Sequence, residues 1–558
     1  GGAAGRGRWG CVRFTTCTFS AKFTHMWRLG VIQRHVQQPT PSSALSPTEV
    51  AAAGSATTLV ATAAGMLRGS ASWDGVHAFK GVPYGGPTGG KARFQPPAEP
   101  QRWSGVLDAL AYGPMAPQVS TSIAYGAFPA KTLVRPADES MSEDCLRLNV
   151  WAPSTGAPGS CPVMVWFHGG GFQYGSGAST YFDGSNLAAK QGVVVVTVNS
   201  RLNVFGYLYL AGLGDARFEH SSNLGMQDKV AALKWIRDNI AAFGGDPGNV
   251  TVIGQSSGGG AVSTLMAMPS ARGLFHRAII QSGTTVLKGI SQEVARAATA
   301  TYLGKLGLHG TTGSALVDKL QSLSTEELSA AQLPAYSLRL GPVVDGVTLP
   351  SDPCDPDAPA ISAQIPLLIG DTATETCKGD EVELDDAALV RQMESFGDKA
   401  TLMLETYRRA RPSLSNTDLH LELLSDNWIR WPMITQAERK AEQRPGAAVY
   451  MYHFNWRSPV SNGSFRSTHT MEISFMFDNI QAGKDLNGTG EEQQLLAQKM
   501  STAWATFART GDPNHVGLPK WPAYTAARRA TMIFDAPECN AVDDPARAER
   551  VVMGGDQL

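Results

Sequence analysis

The chain has 558 residues, 43% of them hydrophobic and only 17% charged, with 59 glycines. A formal net charge of −2 offers no electrostatic attraction to a polyanion and argues against a nucleic-acid partner. No apolar run reaches the roughly 18 residues that a membrane-spanning helix needs. The seven cysteines, Cys11, Cys17, Cys145, Cys161, Cys354, Cys377 and Cys539, are odd in number, scattered and without a C-x-x-C pair, so neither a zinc site nor a disulfide scaffold is indicated. They are expected to pack as buried thiols, with a Cys354–Cys377 pair left open.

Nothing acidic precedes Glu49, whereas Arg6, Arg8, Arg13, Lys22, Arg28 and Arg34 do. Such composition resembles a transit peptide, but upstream read-through, with Met26 as an alternative start, is the simpler reading. Residues 1–58 are therefore expected to be a poorly ordered leader or read-through. Residues 59–540 read as a single domain and 541–558 as a C-terminal tail.

Along the domain, residues 163–167 and 193–198 are short, continuous, β-branched-rich runs of the kind buried in a parallel sheet. Residues 227–243 place Val230, Leu233, Ile236, Ile240 and Phe243 at helical spacing, and Gly244-Gly245-Asp246-Pro247 ends that helix. Further short apolar runs follow at 250–253, 278–280 and 366–369. This alternation predicts an α/β fold with a mostly parallel, doubly wound central sheet. Residues 290–335 and 380–445 lean helical and are expected to be insertions over the carboxyl ends of the strands, where ligands bind.

Two glycine-rich motifs carry the chemistry. Gly254-Gln255-Ser256-Ser257-Gly258 lies between a strand run and a helical stretch, the context of a nucleophile elbow, in which neighbours without Cβ atoms let strand and helix pass close to the serine. Chance alone would supply G-x-S-x-G in a chain this long with a probability of roughly 0.2, so context has to decide. His168-Gly169-Gly170-Gly171-Phe172 follows the strand 163–167. Successive glycines allow backbone N–H groups to converge on an oxyanion, and neither G-x-G-x-x-G nor a G-K-[ST] ending favours a phosphate loop. Each motif serves the chemistry of the other.

A serine nucleophile needs a histidine base and an orienting acid, in the chain order serine, acid, histidine for this strand–elbow–helix arrangement. Asp371 and Glu375 both follow the strand 366–369, and position alone leaves them even. Among His276, His309, His420, His453, His469 and His515, His453 falls inside the strand-like run 449–454, where a structural role is favoured. His469 lies where a polar loop meets an apolar stretch and is the leading candidate, since catalytic residues collect on such loops. Phe172 and Tyr174 either line an apolar pocket or pack against the sheet.

The chain resembles the carboxylesterase type B family of α/β-hydrolases, which includes carboxylesterases, cholinesterases and para-nitrobenzyl esterases. The likeness runs from about Gly65 to about Tyr524. It rests on Phe79-Lys80-Gly81-Val82-Pro83-Tyr84, Ser142-Glu143-Asp144-Cys145-Leu146, the glycine loop, Asn199-Ser200-Arg201-Leu202, Phe243-Gly244-Gly245-Asp246-Pro247, the elbow, Gln281-Ser282-Gly283 and Phe507-Ala508-Arg509-Thr510-Gly511-Asp512-Pro513-Asn514. The resemblance implies that Glu375, in Gly370-Asp371-Thr372-Ala373-Thr374-Glu375, is the acid, that His469 is the base, and that the amides of Gly170, Gly171 and Ser257 form the oxyanion hole. Ser257 stands where the family usually has alanine, and Gln255 where it usually has glutamate. Cys145 lacks the upstream cysteine with which eukaryotic members pair it, and residues 121–141 lack the tryptophan that cholinesterases use for choline. Bacterial-like members are the closer comparison.

The resemblance thus implies a serine carboxylesterase acting on small-molecule esters through an acyl-serine intermediate, with short to medium acyl or aryl esters expected. No cofactor or metal is expected, nor a nucleic-acid partner. The protein is expected to be a monomer or small homo-oligomer in the cytoplasm. A glycine loop of this kind is associated in the family with tolerance of bulky, even tertiary, alcohols. The alternatives are a catalytically inactive, cholinesterase-like interaction protein, disfavoured because Ser256, Glu375 and His469 are all present, and a lipase or amidase using the same triad.

Overall fold

The computed structural model describes residues 56–554, apart from 73, 120–139, 155–158, 335 and 336. Residues 1–55 of the expected leader and nearly all of the tryptophan-free loop 121–141 lie outside the described residues. The strands, in chain order, are β1 Ala56–Ala61, β2 Met66–Ala71, β3 Val76–Pro83, β4 Val106–Asp108, β5 Arg147–Pro153, β6 Cys161–Phe167, β7 Val194–Val198, β8 Gly245–Gln255, β9 Arg277–Gln281, β10 Ile290–Ser291, β11 Val343–Val344, β12 Leu367–Thr372, β13 Val449–Phe454, β14 Ala530–Phe534 and β15 Asn540–Asp543. All but β10 and β11, which pair with each other, join one sheet in the order β1-β2-β3-β5-β7-β6-β8-β9-β12-β13-β14-β15, with β4 beside β2. Every pairing from β7 to β14 is parallel, and the antiparallel strands sit at the two ends.

The parallel strands read as unbroken apolar runs because helices cover both of their faces. Along β6, Val163, Val165 and Phe167 enter one core while Met164 and Trp166 enter the other, as the two-residue period of a strand requires. One core is closed by the helices Leu224–Asn239, Ser257–Ala267 and Trp431–Ala441, through Leu233, Leu265 and Met433 among others. The second is closed by Ser185–Gln191 and Glu491–Thr510, through Leu187, Met500 and Trp504.

The predicted helix over 227–243 is observed as Leu224–Asn239 continued by a 3-10 turn, Ile240–Phe243. The following strand starts at Gly245 rather than Val250. Both insertions are helical; the first shares a core, around Tyr302 and Leu316, with Phe94 and residues 204–224, and the second has a small core around Leu389 and Tyr407. The last helix of the second, Trp431–Ala441, packs on the sheet against β12 and β13. The final described residues form the edge strand β15 and the helix Arg547–Met553. Cys354 and Cys377, left open as a pair, are separate buried thiols, as are Cys145, Cys161 and Cys539.

Candidate active site

Ser256 occupies the single residue between β8 and the helix Ser257–Ala267, with φ 58° and ψ −125°, a conformation that costs an L-residue about 1–3 kcal/mol. The surrounding backbone leaves it no alternative. Its N–H donates to the Gln281 carbonyl at 2.9 Å, and its own carbonyl accepts from Gly260 and Thr284, both at 3.0 Å. The flanking glycines are steric necessities. A Cβ on Gly254 would lie 2.2 Å from the carbonyl carbon of Gly258, and one on Gly258 would lie 2.0 Å from the Phe167 carbonyl oxygen. Ser256 is thereby held partly exposed at the tip of the turn while its neighbours from Val250 to Met268 are buried.

The glycine loop leaves the end of β6, next to β8 in the sheet. Gly170 and Gly171 have φ of 112° and 63°, and a Cβ on Gly170 would fall 2.0 Å from the Tyr174 carbonyl oxygen. The Phe172 N–H donates to Ser257 Oγ at 3.1 Å, so the hydroxyl found where the family usually has alanine ties this loop to the elbow. Ser257 opens its helix, where backbone N–H groups have no intrahelical acceptor and the helix dipole favours negative charge. Phe172 is only 6% exposed and packs edge-on against Tyr207, with ring centroids 5.2 Å apart. For Phe172, packing is the reading that the structure supports.

The acid and the histidine arrive from β12 and from the loop after β13. Thr374 pairs with Thr468 in a short parallel bridge, reinforced by Thr374 N–H to the Ser467 carbonyl at 3.1 Å and Thr468 Oγ1 to the Cys377 carbonyl at 2.6 Å. Glu375, its side chain fully buried, accepts from the Thr372 N–H at 2.8 Å and lies 2.5 Å from His469 Nδ1. Burial pulls the His469 pKa down, but the charge and hydrogen bond of Glu375, with help from Glu472, outweigh it and leave the ring above its ordinary value. Gln255 overlies the ring, with its Nε2 3.1 Å from His469 Nε2 and 3.4 Å from Nδ1. Ser256 Oγ makes no hydrogen bond among the described residues; such bonds often form only when substrate tightens a site.

Asp371, level with Glu375 on sequence position, faces a different histidine. It is the register partner of His453 across β12 and β13, accepts from its Nδ1 side at 2.5 Å, and lies 3.4 Å from Arg430 Nε. Two histidine–carboxylate pairs of equal length therefore exist, and distance does not separate them. Location does: Asp371 and His453 are register partners on β12 and β13, whereas the His469 ring borders the elbow through Gln255.

Sequence reasoning did not find the Gln255–His469 contact, the Arg430 pairing or Trp428, whose ring centroid is 5.5 Å from that of His469. Glu472 is wholly buried, accepts from Gln281 Nε2 at 3.2 Å, and has its pKa raised to about 7 by burial and by the Glu375 charge. A cavity of about 650 Å³ between residues 96–100 and the helix Leu224–Asn239 is lined by none of the expected site residues. Among the described residues no cluster of three or more His, Cys, Asp or Glu side chains could hold a metal ion.

A mostly parallel sheet with a strained serine between a strand and a helix, and a carboxylate–histidine pair delivered by later strands, defines an α/β-hydrolase. Residues 56–553 match the model of the carboxylesterase family. The chain belongs to that family and is a carboxylic ester hydrolase. It is 37% identical to the para-nitrobenzyl esterase of Bacillus subtilis over 514 residues, covering 88% of this chain and 97% of the relative. It is 33% identical to the phenmedipham hydrolase of Pseudarthrobacter oxydans, again over 88% and 97%, and 35% identical to a human cocaine esterase over 81% and 82%. Among solved structures, a PNB esterase superposes with a TM-score of 0.76 at 35% identity, covering 89% of this chain and 99% of that one. A carboxylesterase of Geobacillus stearothermophilus gives 0.75 at 36%, over 89% and 100%.

Proposed function

We propose that Ser256 is the nucleophile, His469 the general base and Glu375 its orienting acid, and that the amides of Gly170, Gly171 and Ser257 bind the oxyanion, within one catalytic domain. The observation that carries this reading is the 2.5 Å contact between Glu375 and His469 Nδ1, on a ring that also touches the residue next to the strained Ser256. Ser256 Oγ attacks the ester carbonyl as His469 takes its proton. Glu375 holds the Nδ1 proton and stabilises the imidazolium. The tetrahedral intermediate collapses as His469 protonates the departing alcohol, and water activated by the same ring then releases the acid. Each oxyanion donor contributes about 3–4 kcal/mol to such a transition state.

Short to medium acyl and aryl esters are the proposed substrates, in keeping with the para-nitrobenzyl and phenmedipham activities named for two relatives. Five buried free thiols suit a reducing compartment such as the cytoplasm, and no helix among the described residues is long and apolar enough to cross a membrane. The decisive test is fluorophosphonate labelling with a panel of p-nitrophenyl esters from acetate to palmitate, together with tert-butyl acetate. Ser256→Ala should lose both label and turnover. A rate maximum at long chains would indicate a lipase instead, and a parent protein that takes no label would overturn the assignment. Because the base must be neutral and Glu375 raises its pKa, activity should fall as pH drops through a value above that of an ordinary imidazole. A rate unchanged down to about pH 4 would contradict this.

A further inference from the structure

Trp428 is 46% exposed, an unusual position for a side chain with so much apolar area to bury. It lies in the π-helical turn Asp426–Arg430, between the helices Asn416–Ser425 and Trp431–Ala441. Such turns hold an extra residue and are frequent at functional sites. Here the inner side of the turn is pinned. Asp426 accepts from the Tyr407 hydroxyl at 2.6 Å and pairs with Arg430 Nη1 at 2.8 Å. Arg430 in turn reaches Asp371 at 3.4 Å and His453 at 3.1 Å, and Ile429 is fully buried. With Asp426, Ile429 and Arg430 held against the sheet, Asn427 and Trp428 are left facing outward. The Trp428 ring then lies 5.5 Å from that of His469, inclined at 41°.

We propose that Trp428 determines leaving-group specificity, forming a platform that favours esters of flat aromatic alcohols, and that the buried Asp371–Arg430–Asp426 network positions it. The proposal rests on the roles assigned above to Ser256 and His469. In acylation the bond from Ser256 Oγ to the carbonyl carbon forms and the bond from that carbon to the alcohol oxygen breaks. The electron pair goes to the alcohol oxygen, which receives the proton that His469 had taken from the serine. The alcohol therefore departs within about 3 Å of the imidazole, and the rest of it lies beside whatever flanks that ring. An aromatic leaving group at this place can meet the indole at the centroid separations of about 4.5–7 Å that offset or edge-on pairs prefer. A saturated ring of the same size gains only the apolar contact.

Acetate esters of different alcohols share one acyl-enzyme, so kcat/KM for each reports acylation alone. Phenyl acetate and cyclohexyl acetate are to be compared in the parent protein, in Trp428→Leu, which keeps apolar bulk without a π-face, and in Trp428→Phe. Relative to the parent, Trp428→Leu should lose about three- to tenfold more kcat/KM on phenyl acetate than on cyclohexyl acetate, and Trp428→Phe should keep the parent's preference within about twofold. Both variants should still take up a fluorophosphonate. Equal losses on the two esters, or no loss on either, in a protein that labels would overturn this proposal alone. A parent that does not label would overturn the serine assignment and this proposal with it.

Discussion

At the scale of residues, the His469 ring is gripped at Nδ1 by Glu375 and overlain by Gln255. Glu375 at Nδ1 favours the imidazolium. Gln255 Nε2 lies 3.1 Å from His469 Nε2 and 3.4 Å from Nδ1, over the face of the ring rather than in line with either lone pair. Gln255→Glu, which restores the residue usual in the family, replaces that amide with a second carboxylate beside the ring. The pKa of the base should then rise by about one unit, and the acid limb of kcat/KM for p-nitrophenyl acetate should move to higher pH by the same amount. An unmoved limb would show that the Gln255 contact does not reach the reacting proton. The strain at Ser256 belongs to the same scale: its positive φ is imposed by hydrogen bonds from β9 and from the helix that follows, and Gly254 and Gly258 make room for it.

At the scale of elements, β12 and β13 carry two histidine–carboxylate pairs with different fates. Asp371 and His453 face each other in register inside the sheet, and Arg430 joins them from the second insertion. Removing one partner of a buried charged pair typically costs about 3–5 kcal/mol. Asp371→Asn should therefore lower the unfolding free energy, read by urea denaturation, by about that amount. Glu375→Gln also breaks a buried pair and should lower the urea midpoint as well, but it should in addition reduce kcat by about 10³- to 10⁴-fold, because the amide no longer holds the imidazole in the required tautomer. A kcat loss of that size in Asp371→Asn and not in Glu375→Gln would exchange the two acids. Their four-residue separation in sequence conceals this difference, because strand register decides which histidine each one meets.

At the scale of the whole molecule, the site is assembled across the sheet. Glu375 and His469 are 94 residues apart in sequence, yet β8, β9, β12 and β13 are successive neighbours in the sheet, so the loops at their ends converge. Since the family match begins at residue 56, a chain lacking residues 1–55 should keep kcat/KM for p-nitrophenyl acetate within about twofold. A larger loss would give the leader a part in the catalytic domain. The fold class was legible in the apolar runs at 163–167 and 193–198, because strands covered on both faces must be apolar throughout. The elbow and the glycine loop were legible because a backbone bent so sharply tolerates only glycine at particular positions. The choice between Asp371 and Glu375 needed a family resemblance, and the place of Trp428 needed the fold. The sequence by itself determined which chemistry is available, since that resides in residue types at short spacing. Only the tertiary structure decided which buried acid meets which histidine, how Gln255 meets His469, and how a pinned π turn leaves an indole beside that ring, because those contacts depend on strand register and on packing between segments far apart in the chain.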